Sequence, residues 1–301
     1  MMKRFLLSLI LIILSAGVSQ SGEKVIHTGV IGYLGTTEAK FQSGLDVFRD
    51  LIPPDYQEDI MYSGFVRSLK TEKRTVHFFS SLMRMIMSLR SGRIDEIMLP
   101  DAVGNYVLSV NPSFEIKYMS KIFSSGLSFA FRQEDTALRD DFNSALSAMK
   151  EDGTIDGLSM KFVHSDSKNL PKPERPDDFP GAKTITVAVT GDLPPVDMFA
   201  GDGKPTCYST AILSEIGRRL KKNIRFVNVE SGARNNALFS GRADVVFWYR
   251  TTEIAMKDID TEPVFIDTPD GVILSVPYFT WQREIVLKMA EQSGFWGLFK
   301  R

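Results

Sequence analysis

The stretch Leu89-Arg90-Ser91-Gly92-Arg93-Ile94-Asp95-Glu96-Ile97 returns 149 positions later as Leu238-Phe239-Ser240-Gly241-Arg242-Ala243-Asp244-Val245-Val246. Each copy has the pattern of a helix end, a glycine stop, a short Arg/Asp connection and a buried strand. A second pair of similar segments, residues 30–37 and 185–192, precedes the copies, and each is a strand that breaks at a glycine. Because this spacing is the size of a domain and too long for a solenoid repeat, it predicts two related α/β lobes that meet at a cleft.

Length and composition are those of an ordinary globular protein. The 301 residues predict about two domains, and 43% hydrophobic with 24% charged residues excludes a disordered chain. A net charge of -1 gives no reason to expect nucleic acid or an anionic membrane as a partner. The single cysteine, Cys207, cannot form an intramolecular disulfide, so stability must come from packing.

The N-terminus has the pattern of a secretory signal peptide, predicted over residues 1–20. Lys3 and Arg4 precede an apolar run, residues 5–14, which small residues follow. That run is too short for a permanent membrane anchor. Val18 stands where a lipoprotein signal needs its cysteine. We therefore expect an exported, soluble protein in a Gram-negative periplasm.

The lobes are predicted from hydrophobic periodicity. The first lobe covers residues 25–165 and contains an amphipathic helix that ends at Gly92. Residues 166–182 hold four prolines and form a linker. The second lobe, residues 183–280, alternates strands and helices, which predicts Rossmann-like lobes with mainly parallel sheets. The tail, residues 281–301, contains a possible strand that returns to the first lobe, so that two segments would form a hinge.

Ligands often bind at the carboxyl ends of parallel strands, and the sequence has two candidate sites of this kind, each at a turn that follows a strand. Thr36 and Thr37 could hold an anion at a helix N-terminus, although, taken alone, a structural Thr cap supported by Glu38 is the favoured explanation. In the second lobe Asp192 could pair with an ammonium group, with Phe199 as an apolar wall. The alternative is that Asp192 shapes a turn before two prolines.

A third strand end brings Trp248, Tyr249, Arg250 and Thr251 together. Arg250 is suited to bidentate binding of a carboxylate, and Thr251 adds a hydroxyl. Arg234 begins a helix, where a cation is unfavourable unless it serves an anion or packs. It is a weaker candidate.

Enzymatic and metal motifs are missing from the sequence. His27, His77 and His164 lie at unrelated spacings without HExxH or CxxC companions, so neither a metal nor a cofactor is expected. Cys207 has no evident histidine partner and is interpreted as a packed thiol. No GxSxG, Walker or GxGxxG motif occurs, and we expect no enzymatic activity.

Taken together these segments resemble the bacterial extracellular solute-binding proteins of the amino-acid type, family 3, with a type II periplasmic-binding fold. Residues 185–195, 240–246 and 275–278 look like landmarks of that family's first lobe, residues 32–37 resemble its second-lobe Gly-Thr-Thr site, and residues 145–154 are similar to its closing helix. The resemblance implies reversed lobe order, as in a circular permutation. Arg250 would substitute for the family's arginine, Asp101 lies beside the position of its acidic residue, and Ser231 replaces an aromatic.

The resemblance implies a monomeric, exported binding protein that closes on a small polar solute, such as an amino acid, and delivers it to an ABC importer permease. Thr36, Thr37 and Asp101 would contact the solute from one lobe. The other lobe would contribute Asp192, Phe199, Arg250 and Thr251. Two alternatives stay open: a dehydratase- or lyase-like enzyme with Asp192 or Glu38 as acid/base, and a sensory or scaffold module that has lost ligand binding.

Overall fold

A computed structural model describes residues 25–32, 37–51, 63–121, 123–165, 169–254, 265–266 and 268–291. The expected signal peptide lies outside these residues. The strands are β1 (Val25–Ile31), β2 (Lys73–Phe79), β3 (Glu96–Pro100), β4 (Phe114–Ser120), β5 (Phe123–Arg132), β6 (Thr184–Val189), β7 (Asp192–Leu193), β8 (Asp197–Phe199), β9 (Pro205–Thr206), β10 (Asn223–Asn228), β11 (Val245–Ile254), β12 (Phe265–Ile266), β13 (Val272–Leu274), β14 (Phe279–Trp281) and β15 (Glu284–Met289). The α-helices are α1 (Glu38–Leu51), α2 (Ser63–Thr71), α3 (Leu82–Arg90), α4 (Asp101–Val110), α5 (Thr136–Glu151), α6 (Thr154–Phe162), α7 (Cys207–Leu220) and α8 (Arg234–Phe239).

The strands form two large mixed sheets, which confirms the predicted α/β class. In the first sheet the order is β2-β1-β3-β15-β4. In the second the order is β10-β6-β11-β5-β13, with β12 and β14 pairing beside it. Each sheet has three parallel strands around its first strand, β1 or β6, and antiparallel strands complete it. A small three-stranded sheet, β7-β8-β9, lies beyond the end of β6.

The chain crosses between the large sheets at two places. It passes from β4 to β5 after Ser120, and it returns from β14 to β15 between Trp281 and Glu284. The tail that the sequence suggests as a return strand contains β15, which pairs with β3 and β4 in the first sheet.

Residues 123–165, predicted with the first lobe, belong with the second sheet. Strand β5 pairs antiparallel with β11, β13 and β14, and α5 and α6 follow it. The described part of the proline-containing segment packs on the same side, since the Asn223 side chain bonds to the backbone of Phe179 and Ala182. Local periodicity missed this because β5 pairs with strands more than 100 residues away.

The repeated phrase forms equivalent corners in the two sheets. Gly92 and Gly241 end α3 and α8 with φ of 69° and 72°. The following aspartates then hold the neighbouring first strand. Asp95 Oδ2 accepts from His27 N at 2.8 Å, and Asp244 Oδ2 accepts from Thr186 N at 2.8 Å. The backbone N–H of each aspartate donates back to the same residue of that strand at 2.8 Å. The phrase is scaffolding that sets the register between parallel strands.

The predicted amphipathic helix is present as α3. Its core face is Leu82, Met85, Ile86 and Leu89, all buried. Ser81 caps its N-terminus by accepting from Arg84 N at 3.3 Å. Met83 and Met87 are exposed on this helix, and Met83 lines a cavity described below.

Candidate functional site

Two cavities lie between the sheets. The first, here called the apolar cavity, has a volume of about 420 Å³. It is lined by Leu82, Met83, Ile86, Arg90, Tyr106, Val107, Val110 and Asn111 from the first-sheet side and by Gly191, Asp192, Pro194, Met198 and Phe199 from the second. The second, here called the serine–arginine cavity, has a volume of about 270 Å³. It is lined by Ile31, Gly32, Phe78, Phe79 and Ser80 on one side and by Ser231, Gly232 and Arg234 on the other.

The cavities meet at Asp192. Its Oδ1 accepts from the Thr190 hydroxyl at 2.5 Å, and its Oδ2 accepts from the hydroxyl of Ser231. Asp192 lines the apolar cavity and Ser231 lines the serine–arginine cavity. The Thr190 hydroxyl oxygen accepts in turn from Trp248 Nε1 at 3.1 Å, which fixes the position of Thr190. A partly exposed carboxylate is thus held rigidly at the border of the two cavities.

Phe199 lies directly over the corner that carries Asp192. Gly191 has φ of 69°, and a Cβ at this position would lie 2.1 Å from a ring carbon of Phe199. Only glycine combines this backbone conformation with so close an approach. The structure therefore brings the predicted pair Asp192 and Phe199 together in one cavity wall.

Asp197 is a second carboxylate, buried beneath the same corner, which the sequence reasoning missed. Its Oδ2 accepts from the backbone N–H groups of Thr190 at 2.9 Å and Gly191 at 3.1 Å, and from the Thr190 hydroxyl at 3.0 Å. Burial, with a smaller contribution from the charge of Asp192, raises the pKa of Asp197 to about 6. The available signal was a lone carboxylate between apolar neighbours in Val196-Asp197-Met198.

Arg234 lies buried at the wall of the serine–arginine cavity. Its guanidinium carbon lies 3.7 Å from the centre of the Trp248 ring and 5.0 Å from that of Tyr249. Nη1 donates to the Trp248 carbonyl at 2.5 Å, and Nε donates to the Ser231 carbonyl at 3.2 Å. Stacking on aromatic rings offsets part of the cost of desolvating the cation. The sequence identified Arg234 only as a weak candidate.

Arg250 lies at the junction of the two sheets. Its Nη2 bonds to Glu284 Oε1 at 2.5 Å and lies 3.5 Å from Ser125 Oγ, and its guanidinium lies 5.4 Å from the centre of the Trp281 ring. Burial raises the pKa of Glu284, which also accepts from Trp281 Nε1 at 3.1 Å. Because Arg250 is in β11 and Glu284 begins β15, this ion pair joins the second sheet to the first. These contacts give Arg250 a protein carboxylate as its partner in place of the predicted ligand carboxylate.

Asp101 is engaged at the same junction. Its Oδ2 pairs with Arg283 Nε at 2.9 Å, and its Oδ1 accepts from Ala102 N at 2.8 Å at the start of α4. The backbone N–H of Asp101 also donates to the Arg283 carbonyl at 3.0 Å. The predicted ligand contact is thus a buried carboxylate that ties the start of α4 to the segment between β14 and β15.

The remaining predicted site residues are Thr37, Thr36 and Thr251. Thr37 is exposed, and its hydroxyl accepts from Lys40 N at 3.3 Å, as a helix cap does. The adjacent Glu38 accepts from Phe78 N at 2.6 Å. Thr36 lies outside the described residues. Thr251 is in β11, opposite Gly126, and its side chain is not described.

Neither the histidines nor the cysteine forms a cluster with obvious chemistry. His27 Nδ1 lies 2.9 Å from His77 Nε2 across the parallel strands β1 and β2. Among the described residues no group of three His, Cys, Asp or Glu side chains is placed to hold a metal ion. Cys207 is buried, and burial raises the pKa of its thiol to about 11. In the same part of the chain, no helix has both the length and the hydrophobicity to cross a bilayer.

Comparison with known proteins gives a partial likeness. No family model matches the chain. The ABC transporter arginine-binding protein 1 of Escherichia coli strain K12 is 31% identical over 102 residues, which are 33% of this chain and 42% of that protein. The chain therefore matches less than half the length of this curated relative.

Among solved structures, the ligand-binding component of an ABC-type import system from Staphylococcus aureus, with zinc bound, has a TM-score of 0.37 at 10% identity. That match covers 88% of this chain and 66% of the other. The periplasmic aliphatic sulphonate binding protein SsuA from Escherichia coli has a TM-score of 0.34 at 9% identity, over 92% of this chain and 69% of the other.

Proposed function

We propose that this protein is an exported substrate-binding protein that captures a small polar solute between two lobes for an ABC importer. The observation that carries the proposal is a pair of cavities, each lined by residues from both sheets. In the described part of the chain, the polypeptide crosses between these sheets only from β4 to β5 and from β14 to β15. A solute that contacts both walls would favour the closed arrangement of the lobes. The partial likeness to an ABC transporter arginine-binding protein supports the same function and the permease as its partner.

The proposed solute site is centred on Asp192 and Arg234. Asp192 offers a carboxylate to an ammonium group, as the sequence predicts, and Phe199 provides the apolar wall. Arg234 offers a guanidinium at the serine–arginine cavity, where Ser80 and Ser231 add hydroxyls. A solute with both an ammonium and a carboxylate group, such as an amino acid or a related molecule, suits this arrangement. Thr36 and Thr37 remain predicted contacts.

Arg250 and Asp101 receive a different proposed role. Their ion pairs with Glu284 and Arg283 lie where the chain crosses between sheets. We assign them to the hinge, because an ion pair at a crossing links the two elements that move relative to one another during closure. The predicted carboxylate contact moves from Arg250 to Arg234 in this proposal.

The lobe order is part of the proposal. The run β6-α7-β10-α8-β11 has the form expected for the family's opening lobe, yet it follows residues 25–120, which build most of the first sheet. A circular permutation of the type II periplasmic-binding fold accounts for this order. It keeps both half-sites at the strand ends and changes only where the chain begins.

Calorimetry and thermal unfolding with the twenty amino acids and small organic acids test the proposal. A true ligand at 100 times its dissociation constant should raise the free energy of unfolding by about 2.7 kcal/mol. Recovery of an unmodified ligand distinguishes binding from turnover.

Arg234→Lys should weaken binding of a carboxylate-bearing ligand at least tenfold, because lysine keeps the charge but loses the planar fork. Arg242→Lys is the matched control, since Arg242 is exposed and donates to the Asn228 carbonyl at 3.2 Å. Binding unchanged by Arg234→Lys, with unfolding as in the parent, refutes this assignment. Silence across the whole panel counts against the binding function itself.

A further inference from the structure

The apolar cavity borders the carboxylate of Asp192, which forms no ion pair within the described part of the chain. Asp192 is held by the hydroxyls of Thr190 and Ser231, and Asp197 by the same Thr190 and by backbone N–H groups. Among the described residues no lysine, arginine or histidine forms an ion pair with either acid. Neutral donors orient the carboxylate of Asp192 without neutralising its charge.

The rest of the cavity is mostly apolar. Helix α3 contributes Leu82, Met83 and Ile86, α4 contributes Val107 and Val110, and Phe199 closes the opposite side. A volume of about 420 Å³ is within the range of roughly 300–1,000 Å³ found for small-molecule sites. Apolar walls beside the carboxylate of Asp192 are complementary to an organic ion that has an apolar body and a cationic group.

Arg90 is the cation that lines this cavity, and it has other partners. Its Nη2 donates to Asn111 Oδ1 at 2.6 Å, and its guanidinium lies 5.5 Å from the centre of the Phe114 ring. Arg90 is exposed at the last turn of α3, whereas Asp192 lies at the border with the second cavity. Solvent screens the exposed guanidinium of Arg90 more strongly than the partly buried carboxylate of Asp192, so Asp192 is the stronger ionic anchor for a ligand in this cavity.

We propose that the apolar cavity binds the apolar body of an organic ammonium ion whose charged group pairs with Asp192. This inference rests on the proposed solute-binding function and narrows its ligand class to amines that carry a sizeable aliphatic or aromatic group. A solute of this class that also has a carboxylate can reach Arg234 through the border at Ser231. The cavity thus selects for the ligand's side group, and the serine–arginine cavity for its polar end.

Titration calorimetry with simple alkylammonium ions tests the proposal. Affinity should rise about three- to fourfold for each methylene from butyl- to hexylammonium, because each buried methylene contributes about 0.8 kcal/mol. Hexanol and heptanoate have the same hexyl body without the cation and should bind at least tenfold more weakly than hexylammonium. Heptanoate that binds as well as hexylammonium overturns the proposal and points to Arg90.

Two pairs of variants locate the binding. Asp192→Asn should weaken the binding of hexylammonium at least tenfold, whereas Asp202→Asn, in the exposed turn between β8 and β9, should leave the affinity unchanged. Met83→Lys places a cation in the cavity wall and should weaken hexylammonium at least tenfold. Met87→Lys, exposed on the same helix but outside the lining, is its control. Equal affinity in Asp192→Asn and parent overturns the ion pair.

The outcome also separates this proposal from the function on which it rests. If polar amino acids bind to the parent protein and hexylammonium does not, the solute-binding function stands and the amphiphilic ligand class is wrong. If neither group binds, both proposals fail together.

Discussion

Asp197→Asn should flatten the dependence of stability on pH. Asp197 is fully buried, and its pKa is raised from 3.8 to about 6. Between these values the folded protein retains a proton that the unfolded chain has released, so the free energy of unfolding falls as pH rises through this window. One pKa unit corresponds to about 1.36 kcal/mol, and ionised Asp197 therefore costs about 3 kcal/mol at neutral pH.

The measurement is urea unfolding followed by tryptophan fluorescence at pH values from 4 to 7.5. The stability of the parent minus that of Asp197→Asn should decrease by about 2–2.5 kcal/mol across this range, because the asparagine keeps an oxygen for the N–H groups of Thr190 and Gly191 but does not titrate. Asp202→Asn is the control, because Asp202 is exposed and bonds only within its own turn. Parallel curves for the parent and Asp197→Asn would show that burial does not raise this pKa and would refute the reasoning.

Three further outcomes follow from the packing. Arg250→Met leaves Glu284 buried without its cation and should cost about 3–5 kcal/mol in urea unfolding, while adding Glu284→Leu should recover most of the loss; no recovery contradicts the pairing. Gly191→Ala should lower the free energy of unfolding by about 2–4 kcal/mol, because of the positive φ and the clash of the added Cβ with the Phe199 ring. Gly241→Ala, with φ of 72° but open space around the Cβ, should lower it by only about 1–2 kcal/mol. Equal losses of stability in urea unfolding contradict the close approach at Gly191. Cys207, whose pKa is raised to about 11 by burial, should react with iodoacetamide at pH 8 roughly 100-fold more slowly in the folded than in the unfolded protein; mass spectrometry of timed samples measures this, and equal rates contradict the burial.

The sequence predicts elements well where a pattern is local. Helix α3 and the order β6-α7-β10-α8-β11 follow from periodicity and glycine stops, and the structure confirms them. Local patterns do not predict which sheet strand β5 joins, because that depends on its pairing with β11, β13 and β14 far along the chain. Propensity can identify a strand, but it cannot choose between two sheets.

The candidate site divides in the same way. Asp192 and Phe199 lie together because both belong to one short corner after β6. Arg250 is predicted just beyond a strand end but lies within β11, and its partner Glu284 comes from a segment 34 residues later that crosses back to the other sheet. The charge state of Asp197 depends on complete burial, which its neighbours in sequence indicate only weakly.

The position of β15 has a consequence for the order in which the chain folds. Residues 284–289 occupy the gap between β3 and β4, so the first sheet stays open until this segment has been synthesised. Until then β3 and β4 present unpaired backbone edges, which invite pairing with other chains. Such late, sequence-distant closure favours slow folding. A nascent chain that is held unfolded for export, as the proposed function requires, would therefore lose little by waiting for β15.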